Sequence, residues 1–450
     1  MLARLRALYH RVFETEILRR IVRNSSYLVS ATVFAAAMGM LQNAFQYRVL
    51  GVAGAGLLAA LATFTNVLNR LTAFRIDELV VRYVRLYQER SEPQKAAAVF
   101  KLAALLESLG AVAAFILIWL LTPLAVHYLS DEPNTGQWFM LYGALVLINL
   151  FFDSSDGILQ VFDKFSTKAI IDSIQSVVRL VGTLVVFLTD GGLMGIILAE
   201  LAGRLVRAIG FLGVALRTAT ANWGPGWWRT PFSVLRTDRR SLLTFAFSTN
   251  LSATVSLVAK DSEDLWVNGF LGNVAGGYYS VARGLIGLLQ IPISPLASTT
   301  YPELSRSVAQ KDWASVRHVL RRGSLMAGIY SLPITFVLIL FGKWVIELYA
   351  GAEYLPAYGP LVILLIGYLF VNVFYWNRVA LLALNRPVFP TLVNFVGMLL
   401  KVGGILLITD RYGAVGFAAL LSGYYIFTIL AAVTRSVLDL RARSVAAPTL

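Results

Sequence analysis

The sequence predicts an all-α polytopic membrane protein of about twelve transmembrane helices, in two six-helix lobes related by pseudo-two-fold symmetry. Three observations carry this. The 450 residues are 57% hydrophobic and 14% charged, against about 25% charged in soluble domains. Apolar runs of roughly 20 residues, each long enough for a ~30 Å hydrocarbon core, recur from end to end. The chain also repeats itself. Leu50-Gly51 with Gly56 recurs as Leu271-Gly272 with Gly277, 221 residues on, and Gly192 and Gly195 recur as Gly413 and Gly416 at the same offset. Thr189-Asp190 and Arg179-x2-Gly182 recur as Thr409-Asp410 and Lys401-x2-Gly404 within a residue of it. Such a repeat marks a duplicated transporter-like half.

In chain order, spans are expected near 25–47, 54–76, 97–121, 137–160, 168–188, 193–214, 243–268, 275–299, 322–342, 358–384, 388–408 and 413–435. The N-terminal stretch through Arg23 is basic and has no cleavage pattern, so it reads as a retained amphipathic segment. Residues 77–94 and 303–322 are charged and amphipathic, and are expected along the membrane surface. The seventh span runs into Lys260, Asp261, Glu263 and Asp264, which places its outer end in water. The eighth carries Pro292 and Pro295 and is expected to bend. Residues 215–242 combine Trp223, Trp227 and Trp228 with five arginines, as suits a headgroup-level linker. The expected domains are therefore 1–214, a linker at 215–242, and 243–450.

The net charge of +14 is a loop asymmetry, not a nucleic-acid footprint. One set of connections holds Arg82, Arg85, Arg90, Arg236, Arg239, Arg240, Arg317, Arg321 and others. The opposite set holds only Arg48, Lys260, Lys343 and Arg411. The first set is cytoplasmic by the positive-inside rule, so both termini are inside. The absence of cysteine excludes disulfides and thiolate metal sites.

A charge at the bilayer centre costs roughly 2.5–3.5 kcal/mol on insertion scales. Arg70, Arg179, Arg283 and Lys401 fall within spans. Either they pair with acids to hold helices together, Arg179 with Asp172 or Asp153 for example, or they line a wet, basic cavity between the lobes. A basic cavity selects an anionic cargo, since arginine forks onto phosphate oxygens. Amides such as Gln42, Asn69 and Asn394 could meet sugar hydroxyls or simply bridge helices. Glu107, Asp153, Asp156, Asp172 and Glu200 lie in apolar spans of the first lobe. Asp153 and Asp156 share a helix face, so one of them could hold a coupling proton, or the site could bind Na⁺. Neutralisation of nearby basic residues is the equal alternative. Candidate coupling residues are Glu107, Asp153, Asp156 and Glu200, and the second lobe is expected to lack such a site.

The stretch from Asp261 to Arg322 resembles the polysaccharide-transport branch of the multidrug/oligosaccharidyl-lipid/polysaccharide exporter superfamily. The resemblance rests on Asp261 or Asp264, Leu271-Gly272, Gly277-Tyr278-Tyr279, Tyr301-Pro302-Glu303-Leu304-Ser305 and Lys311-Asp312. Further on come Leu382, Asn385-Arg386-Pro387 and Tyr412-Gly413-x2-Gly416. It implies a V-shaped central cavity and a flippase that moves a polyprenyl-diphosphate-linked oligosaccharide to the outer leaflet by alternating access. It also implies a bacterial inner-membrane location and coupling to H⁺, Na⁺ or the membrane potential. The partners expected are the anionic lipid-linked glycan, membrane lipids, and a polysaccharide polymerase with its assembly proteins; the chain would act as a monomer without an organic cofactor. In the related lipid II flippases, arginines on the first, second and eighth spans bind the diphosphate. Arg70 and Arg283 match the latter two, and the first span has none.

A proton- or sodium-coupled drug/cation antiporter of the same superfamily is the alternative, but residues 25–47 contain no Asp or Glu. A membrane-embedded enzyme fits poorly. The three histidines, His10, His127 and His318, stand apart, Asp131-Glu132 has no visible partner, and no phosphate-binding glycine loop is present.

Overall fold

The computed structural model describes residues 16–73, 76–131, 133–246, 255–386 and 388–445. His10, Glu132 and Pro387 of the sequence reading lie outside them, as do residues 247–254 of the seventh expected span. Among the described residues there is no strand. The helices are α1 Glu16–Thr72, α2 Ile76–Glu89, α3 Pro93–Leu129, α4 Gly136–Gly143, α5 Phe152–Val161, α6 Phe165–Thr189 and α7 Gly192–Trp223. They continue with α8 Arg239–Ala246, α9 Glu263–Gln290, α10 Ser294–Ala309, α11 Trp313–Tyr349, α12 Tyr358–Val373, α13 Asn377–Ala383 and α14 Val388–Val445.

Helix length forces breaks. At 1.5 Å per residue, the 57 residues of α1 and the 58 of α14 would each extend about 85 Å, nearly three times a ~30 Å hydrocarbon core. Each is interrupted by one glycine, Gly51 (φ 62°, ψ −177°) and Gly413 (φ 53°, ψ −141°), and α9 is interrupted by Gly272 (φ 79°, ψ 175°). These conformations are nearly closed to residues with a Cβ. Eight described helices are long and apolar enough to cross a membrane. The expected count of about twelve is approached once Gly51 divides the first of them, α7 is added, and Gly272 divides α9 between the described part of the seventh span and the eighth. The charges on α7 and α9 explain why hydropathy alone undercounts.

The left-handed residues disclose the duplication more fully than the sequence does. Gly51 and Gly272, and Gly192 and Gly413, are the expected pairs. Ser91 (φ 56°) pairs with Lys311 (φ 57°), and Asp163 (φ 53°) with Asn385 (φ 61°), at the same spacing within a residue. Those residues differ in kind, so only backbone geometry relates them.

By contacts the chain forms two compact units. The first comprises the described parts of Met1–Gln42, Leu68–Leu120 and Met140–Thr249; the second comprises those of Asn43–Val67, Leu121–Phe139 and Asn250–Leu450. In the first, α2 buries Ile76, Leu79, Val80, Tyr83, Val84 and Tyr87 along one face, as its amphipathic pattern requires. That face packs with Phe100, Ile158 and Phe211, and Gly157 lies so close to Val80 that no side chain fits there. The second such amphipathic segment, 303–322, is divided between two helices. Lys311 ends α10 in a left-handed turn, and Asp312 caps α11 by accepting the Ser315 N–H at 3.0 Å. The turn at 291–293 separates α9 from α10, near the expected proline bend.

In the second unit, a Cβ on Gly56 would overlap the carbonyl oxygen of Asn273, and a Cβ on Gly277 would overlap that of Val52. Gly56 and Gly277 are 221 residues apart, as are Val52 and Asn273, so the two contacts are the same contact in both directions. Here a side chain would push backbone from backbone, which costs about 1–3 kcal/mol or more. Gly56→Ala and Gly277→Ala are each expected to lower the melting temperature in detergent by several degrees. Gly213→Ala, with open space around its Cβ position, is expected to leave it unchanged or higher.

Candidate functional site

The in-span charges fall into a network in each unit. In the first, Glu200 of α7 is the hub, with its side chain 7% exposed. Arg179 of α6 donates to Glu200 Oε1 through Nε at 3.1 Å and through Nη2. Gln42 of α1 donates to the same oxygen at 2.8 Å. Arg204, one turn along α7, stands 3.9 Å from Oε2 and lies over the Tyr142 ring. One carboxylate thus serves two guanidinium groups, leaving an excess positive charge whose bearers, Arg179 and Arg204, are 31% and 22% exposed. The partner of Arg179 is therefore Glu200, not Asp172 or Asp153. Asp172 instead takes Arg207 at 2.7 Å, with that guanidinium 4.1 Å from the Phe152 ring centre.

The other first-unit acids are placed differently from one another. Both carboxylate oxygens of Glu107 accept backbone N–H groups at the start of α5, from Asp153 at 2.6 Å and Ser154 at 2.9 Å. A carboxylate there meets the positive end of the helix dipole. Asp156 is held by Lys168 Nζ at 2.6 and 2.8 Å. Asp153 has no ion pair among the described residues. It lines a small cavity of about 100 Å³ together with Glu107, Asn69 and Asn149. Of the four candidate coupling acids, it is the one held neither by a cation nor by backbone donors among the described residues. Arg70 is exposed in the last turn before Thr72.

In the second unit, Lys401 of α14 and Glu263 of α9 form an ion pair that is 1% and 0% exposed. The Lys401 ammonium also donates to the Ala259 carbonyl at 2.6 Å, and the Tyr279 hydroxyl donates to Glu263 at 3.0 Å. The next residue, Asp264, accepts from Arg283 at 2.9 Å and from the Thr63 hydroxyl at 3.1 Å. Arg283 keeps 27% exposure. This corrects the expectation that the seventh span ends in water at Glu263 and Asp264. The helix continues apolar to Gly272; Glu263 is buried and Asp264 half-buried, with Lys401 and Arg283 opposite them. Asp131, without a visible partner in the sequence, accepts the Asn273 N–H at 2.8 Å and caps the helix restarting after Gly272.

The structure thus brings Arg179 to Glu200, and Glu107 to the backbone of Asp153. It joins Arg283 and Lys401 to adjacent acids on α9. From the sequence, Arg204 reads as an interface or mouth residue near the end of its span and Glu263 as part of a wet helix end, and Tyr142 has no assigned role; the signal for Glu263 is an acid pair inside a run otherwise apolar enough to be a span. Among the described residues no group of three or more His, Asp or Glu could hold a metal ion.

Solved structures share the fold of this duplicated helical bundle with paired charges inside its spans. An inward-facing multidrug resistance transporter of the MATE family of the MOP superfamily superposes with a TM-score of 0.72 at 13% identity, over 91% of this chain and 95% of the other. The lipid II flippase MurJ in an inward closed conformation gives 0.70 at 16% identity, over 93% and 90%. The chain belongs to the polysaccharide biosynthesis protein family, which its residues 21–308 match. It is also 22% identical to the inner membrane protein YghQ of Escherichia coli over 340 residues, 76% of this chain and 95% of that one. It is thus a multi-pass membrane protein of the polysaccharide biosynthesis protein family, with a fold like that of these two solved structures.

Removing one member of a buried ion pair strands the other, at about 3–5 kcal/mol, whereas replacing both by apolar groups is often neutral. Lys401→Met or Glu263→Gln alone is expected to destabilise the protein strongly in thermal melts. The double variant Lys401→Met/Glu263→Leu should recover most of the loss.

Proposed function

We propose that this protein is a flippase that carries a polyprenyl-diphosphate-linked oligosaccharide from the cytoplasmic to the outer leaflet of a bacterial inner membrane by alternating access. The observation that carries this reading is the surplus of partly exposed guanidinium at Arg179 and Arg204 around the single carboxylate of Glu200. Such a site suits a multiply charged anion, because arginine offers paired N–H donors to phosphate oxygens. Arg283, still 27% exposed beside Asp264, offers a similar fork. Lys401 is sealed against Glu263, so it would meet cargo only if that pair opened. Membership of a polysaccharide biosynthesis family supports a glycan cargo over a drug cation. A surplus of partly exposed base also disfavours a cationic substrate.

For coupling we assign Asp153 as the group that exchanges H⁺ or Na⁺. Its carboxylate faces a polar cavity and is not held by a cation, unlike Asp156 and Glu200.

The test is movement of a fluorescent polyprenyl-diphosphate sugar between leaflets of reconstituted liposomes. Wild-type protein should move it. Arg204→Ala, which leaves the Arg179–Glu200 pair in place, should slow it at least about tenfold, equivalent to about 1.4 kcal/mol. Failure to move several such lipids, alongside proton-linked efflux of small cations, would refute the flippase and favour the antiporter. An imposed ion gradient should accelerate the wild type, and Asp153→Asn should abolish that response while sparing gradient-independent movement.

A further inference from the structure

A second concavity lies in the second unit, away from the charged network. It has a volume of about 930 Å³, within the ~300–1,000 Å³ of ligand sites. Its walls come from α11, from α12 with the turn after it, and from the end of α14. The floor is fixed by Trp376, which is 4% exposed and donates to the Ser324 hydroxyl at 2.7 Å. Gly328 widens the floor, since a Cβ there would meet nothing nearer than 3.9 Å.

The lining is polarised along its length. Arg317 and Arg321 stand one turn apart near the start of α11, and the apolar Leu325, Ile329 and Leu332 follow. On α14 the order is reversed, with Val433 and Val437 before Arg441. Both helices therefore put their arginines at one end and their apolar side chains at the other. No acid lines the cavity among the described residues. From Arg321 to Leu332 the helix rises about 17 Å, close to half of a ~30 Å hydrocarbon core.

We propose that this groove is a binding site for an anionic phospholipid. The phosphate sits among Arg317, Arg321 and Arg441, and one acyl chain lies along Leu325 to Leu332. Charge complementarity selects the headgroup, and the one-leaflet depth selects a phospholipid chain over the far longer polyprenyl tail. The arginine end lies at the edge that loop charge assigns to the cytoplasm, where anionic lipid attracts basic clusters.

Spin-labelled phosphatidylglycerol and phosphatidylcholine, compared by electron spin resonance on protein reconstituted in neutral bilayers, test this. The wild type should immobilise phosphatidylglycerol at least threefold more strongly than phosphatidylcholine. Arg317→Gln/Arg321→Gln should bring that ratio to one. Gly328→Leu, which fills the groove and keeps the arginines, should reduce immobilisation of both lipids. Equal immobilisation of the two lipids by the wild type, a ratio unmoved by Arg317→Gln/Arg321→Gln, or immobilisation unchanged in Gly328→Leu would overturn the proposal. So would displacement of labelled phosphatidylglycerol by an equimolar polyprenyl diphosphate, which would give the groove to the cargo tail.

Discussion

The cost of a charge in hydrocarbon, roughly 2.5–3.5 kcal/mol on insertion scales, governs how these helices are joined. Each half meets it by the same joint with different chemistry. Arg179 and Lys401 occupy repeat-related positions, as do Gln42 and Glu263. In the second half the lysine meets the glutamate directly. In the first half the related position is an amide, and Glu200 on α7 supplies the negative charge to Arg179 and Gln42 together. Moving the acid onto α7 brings Arg204 within reach of it. One half therefore closes its joint with a sealed, neutral pair, and the other with a partly open, net positive cluster. That difference is the physical basis for assigning anion recognition to the arginines of the first half and a sealed structural joint to Lys401.

Backbone packing follows the same duplication. Gly56 and Gly277 each admit the carbonyl of a residue from the opposite half, Asn273 and Val52 respectively. Helices can approach this closely only where no Cβ stands between them, the use to which membrane proteins put small residues. The breaks at Gly51 and Gly272 stand a few residues before these contacts. They return the chain so that the second helix of each half begins beside its relative. Asp131 caps the restart after Gly272 and supports the backbone at that point.

The acids of the first unit show how one residue type takes three roles according to its neighbours. Glu107 is fixed by two backbone donors, Asp156 by Lys168, and Asp153 by neither. Only a carboxylate without a fixed counter-charge can exchange an ion without first breaking a strong bond. The groove of the second unit applies the converse principle. Arginines gathered at one end of an apolar trough invite a negative charge from outside the protein.

The sequence by itself determined the class of fold and the duplication, with about twelve passes expected. Length of apolar run and positive-φ glycines act locally, and composition records them. It also marked which charges lie within spans, since a charge in an apolar run is visible without knowing its partner. The tertiary structure decided the partners. Glu263 looked like the wet end of a helix until Lys401, distant in the chain, was found against it. Asp172 was an equally good partner for Arg179 until packing gave it to Arg207. The left-handed pairs Ser91 with Lys311 and Asp163 with Asn385 escaped the sequence because different side chains adopt one backbone turn. Pairing between helices depends on which faces meet, and periodicity fixes a face without naming its neighbour.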